Sequence, residues 1–271
     1  MRVCCLASGS KGNCTFVESD NCRILIDIGI TAKDAEAKLN SIGVDPCSID
    51  AVLVTHEHSD HIGGLKNFVG RHHIPVYVHV SGMKAVTDRQ EIPFNLQISF
   101  MEDSFKVKDM VITPFRLSHD SACCVGFSVN ADGVKMSIMT DTGLVGEGAI
   151  STMAGSDLII IESNYNKQML IDNPNYSPFL KKRILSTQGH LSNEECACNI
   201  IRCLCKAYTT QFVLAHLSEN NNDPEVAFNE VTAKLKEFGV VEGQDIYIDV
   251  AMQHKVGHLF EIRKRENAKK G

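Results

Sequence analysis

The feature that most constrains this chain is the join between the apolar run AVLVT (51–55) and the loop that leaves it, THEHSDH (55–61). A run of this length, rich in branched side chains and followed by polar residues, reads as a buried strand. His56 and His58 flank a single residue, so both can point to the same side. Asp60 and His61 come as the chain turns toward the next helix. One short loop can therefore offer two ligands to one metal ion and two to a second. Imidazole and carboxylate together suit Zn, Mn or Fe. Three more apolar runs end the same way: MVITPFRLSH in His119, VKMSIMTD in Asp141 and QFVLAH in His216. The fold must be one whose buried sheets deliver side chains to a shared rim.

The rest of the chain agrees. VCCLA, TFVES and RILIDIG read as short strands, with Ser8-Gly9-Ser10-Lys11-Gly12-Asn13 as the first turn. TAKDAEAKLNSIG reads as a helix capped by Thr31 and stopped at Gly43. The middle is β-rich, and Asp132-Gly133 is a hairpin signal. SNEECACNIIRCLCKAY is a second helix, with Ser192 and Glu195 in a capping-box pattern. PEVAFNEVTAKLKEFG is a third, and QDIYIDV and HLFEI close the chain as strands. No linker or repeat interrupts this alternation. The expected architecture is α/β: two sheets packed face to face with helices outside, as one domain over residues 1–271, with 264–271 frayed.

Composition excludes some classes. The net charge of −6 argues against a protein that coats nucleic acid nonspecifically. A local basic track remains open, either Lys181-Lys182-Arg183 or the tail from Arg263 to Lys270. No run of 18 apolar residues suggests a membrane span, and the start lacks a signal-peptide pattern, so a cytoplasmic location and no membrane partner are expected. The 11 cysteines have no framework spacing and read as small buried hydrophobes. No stable protein partner is evident, and the oligomeric state is not legible.

The order HxHxDH, then His, Asp and His at strand ends, resembles the metallo-β-lactamase fold over nearly the whole chain. The resemblance implies a four-layer αββα sandwich of mixed sheets with two divalent transition metals at one edge. His56, His58 and His119 would hold the first, Asp60, His61 and His216 the second, and Asp141 would bridge them. Asp60 is expected among the catalytic residues as well. Two ions sharing a water lower its pKa toward neutrality, making a bridging hydroxide the nucleophile. The residual positive charge favours an anionic substrate.

Two further residues discriminate among functions. Glu162 ends the apolar run DLIIIE, and His190 precedes the capped helix. A carboxylate that orients an imidazole and raises its pKa makes a proton donor for a leaving alkoxide. Phosphodiesters need that proton. The pair, with His216-Leu217-Ser218, resembles the phosphodiesterase branch that includes ribonuclease Z. LASGSKGNCTFVE, NPNYSPFLKKRILSTQGHLSNEECA and LAHLSENNNDPEVA are similar to the bacterial YycJ/WalJ-like (VicX) family. That resemblance implies a DNA exonuclease working 5′ to 3′, with DNA as partner and substrate. A small-molecule phosphodiesterase is the alternative, and a purely regulatory protein with an incidental metal site is a third. Ser8, Ser10 and Asn13 on the glycine-containing turn, and Ser192 and Asn193 at a helix N-terminus, are expected to contact substrate.

Overall fold

The computed structural model describes residues 1–101 and 103–263. The expected frayed segment 264–271, with the basic residues Lys264, Arg265, Lys269 and Lys270, lies outside the described residues.

Two seven-stranded mixed sheets form the body. The first contains β1 (Arg2–Ala7), β2 (Cys14–Glu18), β3 (Arg23–Ile26), β4 (Ala51–Val54), β5 (Val76–His79), β6 (Gln97–Phe100) and, at its far edge, β14 (Leu259–Glu261). Its order is β14-β1-β2-β3-β4-β5-β6. Strands β1 to β3 pair antiparallel through short turns, and β3 to β6 pair parallel. The second sheet repeats this plan. β7 (Phe105–Val107), β8 (Met110–Leu117), β9 (Cys124–Ala131) and β10 (Val134–Met139) are antiparallel. β11 (Leu158–Glu162), β12 (Gln211–Ala215) and β13 (Tyr247–Val250) continue it in parallel. Asp132 and Gly133 turn the β9–β10 hairpin with φ of 55° and 74°, the left-handed pair that a two-residue hairpin requires.

Parallel neighbours need crossovers, and helices supply them. In the first half these are α1 (Ala32–Ser41), α2 (Ser59–Ile62), α3 (Leu65–His72) and α4 (Met83–Arg89). In the second they are α5 (Glu147–Met153), α6 (Lys167–Asp172), α7 (Pro178–Ile184), α8 (Asn193–Lys206) and α9 (Pro224–Glu237). Thr31 caps α1, and Ser192 with Glu195 closes both arms of a capping box on α8, as the sequence predicts. Among the described residues no helix is long and apolar enough to cross a membrane.

Three apolar layers hold the four structural layers together. Ile24, Leu53, Phe127, Met136 and Val213 lie in the seam between the sheets. Leu25, Leu39, Val52 and Phe68 fill the space under α1 and α3. Ile159, Ile161, Ile200, Phe212 and Val231 do the same under α5, α8 and α9. Alternate residues of β3 (Ile24 and Leu25) and β11 (Ile160 and Ile161) face opposite layers, so these strands are apolar throughout. Each such side chain contributes about 1.5–3 kcal/mol on burial. The expected αββα sandwich is the observed one, and Cys196 and Cys203 sit buried in its outer layer.

Candidate metal centre

The strand ends meet at one rim. His56 follows β4, His119 follows β8, Asp141 follows β10, Glu162 ends β11 and His216 follows β12. His58 is the residue before α2, and Asp60 and His61 lie within it. Three residues at this rim leave their strands in the left-handed region: Asp27 (φ 60°), Asp141 (62°) and His216 (57°). That conformation costs about 1–2 kcal/mol for a residue with a Cβ, least for Asp and Asn. The backbone kinks there, at the level where each side chain must reach the centre.

Three groups of ligand atoms converge, each within 4.8 Å; the third, Asp141, Glu162, His190 and His216, shares two members with the second, and the first two match the expected metal ligands. In the first, His58 Nδ1 stands 3.1 Å from His56 Nε2 and 3.3 Å from His119 Nε2. Nitrogens bound to one tetrahedral ion at about 2.0–2.1 Å stand roughly 3.3 Å apart. In the second, His61 Nε2 is 3.0 Å from Asp141 Oδ2 and 3.6 Å from Asp60 Oδ2. His216 Nε2 is 3.5 Å from both Asp60 Oδ2 and Asp141 Oδ1. Asp141 Oδ1 also lies 3.8 Å from His119 Nε2, so this carboxylate faces both groups. Its Oδ2 is buried and makes no well-aligned hydrogen bond. Three imidazole nitrogens aimed at one point, with a buried carboxylate facing both groups, fit a divalent cation.

The rings are held from behind, which fixes the nitrogen each presents. His61 Nδ1 donates to Asp27 Oδ2 (2.7 Å). The Thr55 hydroxyl donates to the same oxygen (2.7 Å) and lies 3.1 Å from His56 Nδ1, so it can accept from that ring. Asp27 thus reaches one ring in each group. His119 Nδ1 donates to the Gly189 carbonyl (3.2 Å), and His216 Nδ1 to Glu162 Oε1 (2.9 Å). Gly189 must be glycine, since a Cβ would meet the Ile184 carbonyl oxygen at 2.1 Å. Sequence reasoning missed Asp27 and Thr55. The signal was present: RILID ends an apolar run in aspartate as VKMSIMTD does.

Protonation differs between the groups. Burial, reinforced by the charge of His61, holds His56 well below the usual imidazole range. Burial and then His119 lower His58. Burial opposes charge on His61 too, but Asp141 and Asp27 outweigh it and hold that ring well above the usual value. Burial likewise opposes charge on His216, yet Asp141, Asp60 and Glu162 push it up to about 10.

Glu162 and His190 form the pair that the sequence predicts. His190 Nδ1 donates to Glu162 Oε1 (2.8 Å). Glu162 Oε2 accepts the backbone N–H of Thr142 (3.0 Å) and Leu191 (3.1 Å). Burial raises the Glu162 carboxyl, but the two imidazoles overcome this and hold it at about 2. Burial lowers His190, and Glu162 more than reverses it. The ring centroid of His190 is 5.1 Å from that of His119 and 5.4 Å from that of His216, and its side chain keeps 20% exposure.

Most residues expected to contact substrate are engaged within the fold. Asn13 is buried: its backbone N–H (2.7 Å) and Nδ2 (3.2 Å) both donate to the Asp60 carbonyl. It braces the metal loop. Ser8 is buried, and its hydroxyl accepts the backbone N–H of His216 (2.8 Å). It also lines a cavity of about 370 Å³ with Leu217, Ser218 and Met252. Ser10 is exposed on the turn. Ser192 spends its hydroxyl on the capping box. Asn193 is fully buried, with Nδ2 on Asn222 (3.1 Å) and Glu230 (2.7 Å) and Oδ1 on Ser163 (2.7 Å). Its amide has nothing left to offer a phosphate, because the α8–α9 packing uses it.

Comparison with known proteins agrees with this geometry. Residues 7–148 match the family described as the metallo-beta-lactamase superfamily. The chain is 33% identical over 259 residues to the "Exodeoxyribonuclease YycJ" of Bacillus anthracis, covering 94% of this chain and 97% of that protein. It is 31% identical over 247 residues to the "Exodeoxyribonuclease WalJ" of Streptococcus pneumoniae, covering 90% and 91%. Among solved structures, the metallo-beta-lactamase fold protein YhfI from Bacillus subtilis superposes with a TM-score of 0.72 at 15% identity, covering 96% of this chain and 99% of that one.

Proposed function

The chain belongs to the metallo-beta-lactamase superfamily and, within it, to the YycJ/WalJ family of metal-dependent hydrolases, and we propose that it is a two-metal DNA exonuclease working 5′ to 3′. The reading is carried by one observation. A His190–Glu162 pair at 2.8 Å stands beside a ligand set facing two centres, which is the equipment for cleaving a phosphodiester with an alkoxide leaving group. The full-length similarity to two exodeoxyribonucleases supports DNA as the substrate.

His56, His58 and His119 would hold one ion and Asp60, His61 and His216 the other, with Asp141 between them. When bound, such ions supply a water made nucleophilic near neutral pH and a positive charge for the phosphoryl oxygens. The protein's own residues do the rest. Asp27 and Thr55 keep Nε2 of His61 and His56 forward. Glu162 accepts the Nδ1–H of His190 as a hydrogen bond, which leaves Nε2 as the one ring atom able to hand a proton to the departing 3′ oxygen. Zn, Mn and Fe all suit this donor set.

End-labelled single- and double-stranded DNA, digested with Mn²⁺ supplied beside a bis-aryl phosphodiester control, tests the reading. Stepwise loss of nucleotides from the 5′ end is expected. Cleavage of the small ester with intact DNA would replace the proposal with a small-molecule phosphodiesterase, a reading that the net charge of −6 favours.

A further inference from the structure

Between Glu162 and His190 the chain makes an excursion whose helix α7 lies at the surface. Helix α7 buries none of its residues. Phe179 on it is 80% exposed, and Ile171, Met169 and Leu185 around it are exposed as well. The helix is built on polar links instead. Ser177 caps it, Tyr176 accepts from Asn220, and the Lys181 ammonium donates to the Ile171 carbonyl. A helix kept in place at the surface, with a large aromatic face turned outward, gains nothing for stability from that face.

The same excursion is tied to the centre at several points. The His190 N–H donates to the Ile184 carbonyl at the C-terminal end of α7 (3.1 Å). Arg183 binds Asp120 through its guanidinium, and Asp120 Oδ1 lies 3.3 Å from His119 Nε2. The last turn of α7 carries Lys181, Lys182 and Arg183, and Lys182 is exposed. In a chain of net charge −6, a basic turn welded to the candidate active rim is a local reversal of sign.

An exposed aromatic beside exposed cationic groups is the pairing that single strands require: bases have π faces, and the backbone between them is anionic. A protein partner would need neither the basic turn nor its attachment to His190. We propose that the 166–188 excursion is a landing platform for one nucleic-acid strand, with Phe179 stacking on an unpaired base and Lys182 contacting a phosphate. The assignment rests on the nucleic-acid reading of the rim and names the element that would feed it. It also gives the acidic chain a means of selecting strand ends, because only a base freed from its duplex offers a face to Phe179.

Binding and cleavage are measured separately. Anisotropy of a labelled single-stranded oligonucleotide with cleavage-resistant phosphorothioate linkages, on the metal-loaded protein, should show affinity falling about fivefold to a hundredfold in F179A. F179Y should restore it and F179L should not, since stacking needs a ring and not bulk. K182Q should lower the slope of log affinity against log salt by about 0.7, one phosphate contact on a single strand. In cleavage, the ratio of kcat/KM for DNA to that for a bis-aryl phosphodiester should fall in F179A, mainly through KM. Equal affinity of wild type and F179L would overturn the platform and leave the nuclease reading standing. Ring-dependent binding without digestion would do the reverse. A wild-type dimer in sedimentation that F179A splits would make this face a self-association surface and would also overturn the proposal.

Discussion

The two candidate metal clusters share a six-residue loop, yet they stand in opposite electrostatic states. His56, His58 and His119 form a group of imidazoles alone, and burial drives His56 and His58 toward the neutral form. His61 and His216 are just as buried but lie among Asp27, Asp60, Asp141 and Glu162, and they hold their protons. A cation arriving at His56 or His58 finds a free lone pair. At the second cluster it must displace protons that the carboxylates retain. One residue type in one sheet edge thus acquires two chemistries, and the difference comes from the carboxylates around each ring.

Asp141 touches both sides, so Asp141→Ala tests the comparison most severely. Hydrolysis should fall by about 10³-fold or more, the several kcal/mol expected of a lost ion, and both ions should be missing by elemental analysis. Retention of one ion at full stoichiometry would mean that the clusters are independent. His190→Ala lies outside both clusters. It should keep the metal content and slow phosphodiester cleavage by about 10²; unchanged turnover would end its assignment as proton donor. Asp27→Asn should weaken metal affinity about 10- to 100-fold on both sides, because this carboxylate reaches His61 directly and His56 through Thr55. Loss confined to the His61 side would remove Thr55 from the relay.

The pH dependence tests the contrast most directly. His61 and His216 are raised, so below their folded pKa values a proton competes with the ion and affinity grows as pH rises. His56 and His58 are lowered, so they add little pH dependence between pH 6.5 and 8.5. Metal titration at the two pH values should therefore show one affinity rising by roughly tenfold per unit for each displaced proton and one rising less steeply. Two parallel slopes would erase the contrast.

The sequence made much of this legible, because strand-end residues carry their own address. An apolar run fixes where the strand stops, and the next polar side chain must lie at the rim. That logic located His56, His119, Asp141, Glu162 and His216. A different logic, the glycine-containing turn and the helix N-terminus, picked out Ser8, Asn13 and Asn193, whose polar groups are taken up by partners distant in sequence. Asn13 serves the Asp60 carbonyl and Asn193 serves Asn222 and Glu230. Nothing local announces such partners. Helices α4 to α7, six or seven residues each, were also hidden, since two turns are too short for a hydrophobic period to emerge.

Glu162 Oε1 accepts from His190 and His216 at once, 2.8 and 2.9 Å away. Inheritance therefore treats the two rings as a single character. A substitution at this position disturbs both rings in one step. Divergence within such a lineage has to enter through neighbours that see only one ring, such as Asn164 beside His216. Specialised descendants of this chain should differ at those neighbours long before they differ at the glutamate.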